Sequence, residues 1–263
     1  MSGAGRIWGL HLGLIAVLFA LQFLLPAYHH GNLARIMVLA SYAVGYNILF
    51  GYTGLLSLGH ALFFAAGMYG MGLGIQHGGL SPAPALVLGI GAGAVVSLAL
   101  GLLALRTSGV AFMIVTLMFA QAGYLTILYF GEYTRGDEGF VIQSAQRVLW
   151  GIDLSEPNNR YFAALFLFAA CLLLSLWLIR RPFGRTLIAI RENEERVRML
   201  GYDTQAHKLG AMVISGTISA AAGAFYGLLF GYAGASFGAV PHSILPLLYV
   251  LLGGAGTILG PFM

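Results

Sequence analysis

The chain has 263 residues, of which 59% are hydrophobic and only 8% charged, with a formal net charge of +4. Soluble domains are roughly 45–50% apolar and about 25% charged, so no water-soluble fold of this length hides that much apolar surface, and lipid must act as solvent for much of it. The basic residues are gathered where membrane topology needs them, not spread as a binding face, which excludes a nucleic-acid partner. Glycine, at 38 residues, is about twice as frequent as usual, and in a bilayer this points to helices packed backbone to backbone.

In chain order, apolar runs predict spans at Trp8–Leu25, Leu33–Phe50, Leu55–Ile75, Ala85–Leu105, Val110–Phe130, Phe162–Ile179, Leu209–Phe230 and Ile244–Leu259. A crossing takes about 20 residues, which makes the last run the marginal one. The first follows Arg6 as a signal peptide would, but its run is too long and no A-x-A site follows Pro26, so it is kept as a span. The expectation is one all-α polytopic transmembrane bundle of about eight spans over residues 1–263. Small-xxx-small rows (Gly67, Gly70, Gly74; Gly89, Gly93; Gly223, Gly227, Gly231) predict close helix contacts. The single cysteine, Cys171, has no intrachain partner.

Two stretches read as interrupted helix. Gly51–His60 is GYTGLLSLGH and Gly253–Pro261 is GGAGTILGP. Such backbone is tolerated at membrane depth where it lines a cavity or is buried in protein, and a matched pair points to a transporter repeat. Gly51, Thr53, Gly54, Ser57, Gly59 and His60, with Gly253, Gly254 and Gly256, are therefore candidates for a translocation path. Coincidental helix ends are the alternative. His60 is either a pore hydrogen-bonding group or a neutral histidine satisfied by a backbone carbonyl.

Seven of the thirteen basic residues lie between Arg180 and Lys208, and five of the nine acids between Gly131 and Tyr161. The positive-inside rule puts the loop 180–208 in the cytoplasm, the loop 131–161 outside and the N-terminus in the cytoplasm. Within the cytoplasmic loop, Arg180-Arg181-Pro182-Phe183-Gly184 ends the sixth span. Thr186–Leu200 then reads as a short helix closed by Gly201, with Glu192–Arg196 and Glu194–Arg198 as i, i+4 pairs. Leu187, Ile190 and Val197 share a face that Glu194 interrupts. A charged helix of this kind suits docking on a soluble partner. The chain carries no HExxH, CxxC or phosphate-binding GxxxxGK[ST], and no predicted span contains Asp or Glu, where ion-coupled carriers often place one.

The run PFGRTLIAIRENEERVRMLGY (182–202) resembles the cytoplasmic coupling loop of permeases of the branched-chain amino acid ABC importer family. GYNILFGYTGLLSLGHALFFAAGMY (45–69) is similar to the N-terminal signature of that family's second permease type, TRGDEGF (134–140) to its external glycine-rich segment, and SILPLLYVLLGGAGTILGP (243–261) to its late signature. Urea and amide importers share these motifs. The resemblance implies a transport subunit that is not itself an enzyme. It would hold no cofactor or metal, because ATP is bound by two cytoplasmic ATPase subunits. A second permease chain, an external solute-binding protein and the lipid of a prokaryotic inner membrane complete the surroundings. Gly184, Arg185, Ala189, Arg191, Glu192 and Gly201 would dock the ATPase; Thr134, Gly136, Asp137, Glu138 and Gly139 would meet the binding protein. Tyr52 and Leu55 depart from the family pattern, which has a smaller residue and a glutamine there. The family continues through more membrane helix where this chain stops at Met263, so the resemblance implies a C-terminal truncation. An ion-coupled secondary transporter or channel is the rival reading.

The orientation is tested with single cysteines at Ser144 and Gln205 in a Cys171→Ala background, exposed to an impermeant thiol reagent on intact cells. Labelling at Ser144 alone is expected, and labelling at Gln205 alone overturns the topology.

Overall fold

A computed structural model describes residues 3–257 and 259–262. Ile258, inside the last expected span, and Met263, the expected truncation point, lie outside the described residues. The helices are α1 (Gly3–Leu24), α2 (Ala27–Asn47), α3 (His60–Gln76), α4 (Pro82–Ala104), α5 (Gly109–Tyr129), the short α6 (Gly131–Thr134), α7 (Pro157–Arg180), α8 (Pro182–Met199), α9 (Thr204–Phe230) and α10 (Val240–Gly253). Prolines sit at the first turns of α4, α7, α8 and α10, where the missing N–H is an orphan in any case and the fixed φ suits the helix.

Five helical segments among the described residues are long and apolar enough to cross a membrane: Tyr28–Tyr52, Pro82–Ala104, Gly109–Tyr129, Pro157–Arg180 and Thr204–Phe230. Trp8–Leu24 and Val240–Gly253 are apolar but shorter. The expected third and eighth spans are corrected. The third begins at His60, not Leu55, and its 17 residues rise only about 26 Å against a hydrocarbon core of about 30 Å. The eighth begins at Val240 and leaves the helix after Gly253. Both shortenings have one cause: Gly54 (φ +77°), Gly254 (φ +94°) and Gly256 (φ +81°) hold backbone that a right-handed helix cannot contain.

The core is a three-helix contact of α3, α4 and α9, and glycine makes it possible. A Cβ on Gly67 would strike the Ala220 backbone, one on Gly89 the Gly67 carbonyl, and one on Gly223 the Phe64 carbonyl. Residues from each of the expected rows thus fall on helix contacts. Gly231 departs from its row, because it ends α9 in the left-handed conformation at φ +69°. On the other flank α2 packs against α7 and α9, and Tyr161 of α7 donates its hydroxyl to Leu18 O of α1 at 2.5 Å. α5 stays at the margin, burying only Phe112, Thr116 and Ala120.

The loop 131–161 is more ordered than its composition suggests. Strand β1 (Phe140–Val141) pairs antiparallel with β4 (Tyr232–Ala233), the segment just after α9. β2 (Val148–Leu149) and β3 (Ile152–Asp153) form a hairpin whose turn residues Trp150 and Gly151 have φ of +49° and +83°, as a tight hairpin of this kind requires.

If backbone-to-backbone contact sets the core, Gly223→Ala forces α3 from α9 and costs about 1–3 kcal/mol by overpacking. Gly91→Ala, at a position with open space around it, is the control. Thermal unfolding in detergent is expected to show a lower midpoint for the first variant and an unchanged or slightly higher one for the second, where alanine only improves helix propensity.

Candidate functional site at the junction of two broken helices

α2 does not stop cleanly at Asn47. It widens into a π-helical turn, Ile48–Tyr52, a form of helix that concentrates at functional sites. The chain then runs without regular structure to Gly59. Thr53 ties the turn by donating its hydroxyl to Ile48 O at 3.0 Å, and Gly54 N and Leu55 N donate to Phe50 O and Leu49 O.

The opening of α3 leaves N–H groups with no partner in their own helix. Side-chain hydroxyls from two other helices and from the break itself accept from the N–H groups here. Leu58 N donates to Thr116 Oγ1 of α5 at 3.1 Å, Gly59 N to Ser57 Oγ at 3.2 Å and Ala61 N to Ser243 Oγ of α10 at 2.8 Å. Tyr46 of α2 donates to Ser57 O at 2.9 Å.

His60 is fully buried, and its partners fix its tautomer. Ser215 donates its own proton to Gly45 O at 2.6 Å, so at 2.8 Å from His60 Nε2 it can only accept, and Nε2 carries the hydrogen. Nδ1 then accepts from Ser57 Oγ at 3.2 Å. The imidazole is neutral and wholly occupied within this chain. Hydroxyls of α9 and of the break satisfy the ring, not a backbone carbonyl as the sequence reading has it.

The second break follows α10. Thr257 donates its hydroxyl to Gly254 O at 2.7 Å and to Gly253 O at 3.2 Å. What joins the two breaks is Asn47. Its amide Nδ2 donates to Thr257 O at 2.7 Å, and its Oδ1 accepts from Gly256 N at 3.1 Å. Gly51 has no room for a side chain because Asn47 and Gly256 N, 2.6 Å from the place of a Cβ, fill the space. The nine translocation candidates therefore belong to one junction. Ser57, His60, Thr53 and Gly51 are buried there. Asn47 and Ser215 escape a reading of the sequence, although an amide in the apolar run Leu33–Phe50 is the kind of polar residue that marks function at membrane depth.

Helix α8 lies against this junction. It starts at Pro182, not at Thr186 as the sequence suggests, because the proline that stops α7 also opens the next helix. It is kinked at Asn193 (φ −162°, ψ 99°), whose Oδ1 accepts from Arg196 N at 2.9 Å and so caps a second short segment. The kink removes the expected Glu192–Arg196 spacing. Glu194 does not interrupt the inner face; it anchors it, bonding Lys208 at 2.7 Å, Arg198 at 3.2 Å and Thr204 at 3.0 Å. Burial pushes its carboxyl upward in pKa, but Lys208, Thr204 and Arg198 outweigh that and hold it below the usual carboxylate range.

The six candidate docking residues play different parts. Gly184 is buried where a Cβ would enter the end of α7, and Gly201 closes α8 at φ +86°. Arg185, Ala189 and Glu192 are exposed. Arg191 is exposed as well, but its guanidinium Nη1 reaches Gly51 O and donates to it. The external candidates divide likewise. Thr134 donates to Ile127 O at 2.6 Å and accepts from Gly136 N at 3.1 Å. Gly139 allows β1 to pass close to β4, while Asp137 and Glu138 face outward.

These features define a multi-pass helical membrane protein with two interrupted helices meeting beside a short amphipathic helix. The family model described as branched-chain amino acid transport system, permease component, matches residues 30–263, and the chain belongs to that family. It is 30% identical over 244 residues to the high-affinity branched-chain amino acid transport system permease protein LivM of Salmonella typhimurium strain LT2, and 29% identical over the same length to that of Escherichia coli strain K12. Each match covers 84% of this chain and 57% of the relative, so the chain spans little more than half the length of these curated relatives. No solved structure matches it.

Asn47→Ala leaves Gly256 N–H and Thr257 C=O without their partner, at a cost of about 1–3 kcal/mol. Hydrogen exchange is expected to rise in the segment 251–257 and not in α4. Unchanged protection across 251–257 removes Asn47 as the joint.

Proposed function

We propose that the chain is the membrane-spanning permease subunit of an ATP-driven importer of branched-chain or related amino acids in a prokaryotic inner membrane. The observation that carries this reading is α8: a charged helix between two apolar helices, with Arg185, Ala189 and Glu192 exposed on one side and the junction of the broken helices on the other. An element built this way receives work from a soluble partner. The chain has no phosphate-binding loop and no carboxylate in its apolar helices, so the energy is borrowed from cytoplasmic ATPase subunits. The substrate class is that named for the LivM relatives.

In this reading the chain crosses the membrane about eight times, with its N-terminus and α8 in the cytoplasm and residues 131–161 outside. α3 and α10 complete their crossings through the non-helical stretches beside them. Asp137 and Glu138 meet an external binding protein, on a surface whose shape Thr134, Gly136 and Gly139 hold. A second permease chain completes the path.

The test reverses charge on the exposed side of α8 with Arg185→Glu and Glu192→Arg together. The permease is expected to insert normally but to lose the co-purifying ATPase and substrate-stimulated hydrolysis in the reconstituted complex. Wild-type rates from the doubly reversed protein sink the docking role. Uptake that persists without ATPase subunits and collapses with a proton or sodium ionophore establishes a secondary transporter instead.

A further inference from the structure

Arg191 is exposed like Glu192 beside it on α8, yet it also reaches back to the junction of the broken helices. Its guanidinium binds Gly51 O, a carbonyl at the frayed C-terminal end of α2, where the helix has unpaired acceptors and a partial negative charge. The fit is built from both breaks. A Cβ on Gly54 would lie 3.1 Å from Arg191 Cγ, and one on Gly256 would lie 2.9 Å from Arg191 Nη1 and 3.1 Å from Gly51 O. Glycines from two stretches far apart in the chain thus leave room for the Arg191 side chain, which remains exposed. Asn47 holds the two stretches together.

The setting of the residue in α8 is equally particular. The helix is fastened to α9 by Glu194–Lys208 beyond the kink at Asn193. Arg191 lies just before that kink, at the end of the straight first segment that carries Arg185 and Ala189 outward. A shift of this segment carries Arg191 with it, and through Arg191 the Gly51 carbonyl.

We propose that Arg191 is a positioning residue, a strut retained through the cycle, that transmits displacement of α8 to the junction of the two broken helices. This rests on the importer reading above. The strut makes Arg191 necessary for coupling but dispensable for holding the ATPase.

The experiment uses the whole reconstituted complex in proteoliposomes with leucine as probe, and reads ATPase retention, ATP hydrolysis and leucine taken up per ATP hydrolysed. Arg191→Gln is expected to keep the ATPase bound and hydrolysis near the wild-type rate, while uptake per ATP falls at least tenfold. Arg191→Lys, which keeps one cationic donor, is expected to recover a third or more of the wild-type ratio. Loss of the ATPase by Arg191→Gln makes Arg191 a docking residue and overturns the strut. A parallel fall of hydrolysis and uptake makes it merely structural, and an unchanged ratio makes it idle; each overturns it. A second variant covers misfolding of the glutamine one: Arg191→Met keeps the apolar stem and removes every donor, and is expected to retain the ATPase while uptake per ATP falls at least tenfold. A wild-type ratio from Arg191→Met overturns the proposal. If the wild-type complex takes up leucine without its ATPase subunits, the importer reading itself fails, on the wild-type arm and independently of any variant.

Discussion

A helix inside a bilayer can be interrupted only where every freed N–H and C=O finds a partner in the protein, because hydrocarbon offers none and each orphan costs several kcal/mol. This chain interrupts two helices, and the two interruptions satisfy one another. Asn47 takes both a donor and an acceptor from the second break, and Ser243, at the start of the helix leading to it, accepts from the start of α3. Thr116 and Ser57 supply further hydroxyls. Neither break could exist alone, so the glycine-mediated contact of α3, α4 and α9 is a prerequisite of the site: it sets the distance at which these groups meet.

How much of this can be read from sequence depends on range. The apolar runs locate the helices, and glycine with serine or threonine locates the breaks, because both are local signals. The true start of α3 and the true end of α10 are not legible, since whether Gly54 or Gly254 leaves the helix depends on what waits to receive the freed backbone. That the breaks meet is invisible too: Asn47 and Gly256 are 209 positions apart. Pro182 is legible only as a stop, although the same ring also starts α8. Glu194 looks like a flaw in an apolar face because its partners Thr204 and Lys208 belong to the next helix.

Motif residues in both exposed segments separate into those that shape and those that present. Gly184 and Gly201 bound α8, and Arg185, Ala189 and Glu192 are displayed by it. Thr134, Gly136 and Gly139 fold the loop 131–161, and Asp137 and Glu138 stand out from it. Each motif therefore mixes buried residues that hold its backbone with exposed ones. Substitution of the shaping residues acts through stability, which an activity assay alone does not distinguish from lost docking.

The balance of forces at the junction also suits a switch. Apart from that of Arg191, the bonds described there are made by neutral groups: amide to carbonyl, hydroxyl to imidazole, hydroxyl to amide. Each contributes on the order of 0.5–1.5 kcal/mol net, so exchanging two or three of them between alternative partners shifts the equilibrium by a few kcal/mol. That is the scale of a typical coupling free energy between sites, about 1–3 kcal/mol. A buried ion pair in the same place would be far harder to rearrange, because breaking it leaves an uncompensated charge. With no carboxylate in the apolar helices, the junction stays soft. The Arg191 cation reaches it from α8, so the one charged bond described at the junction comes from outside the apolar helices.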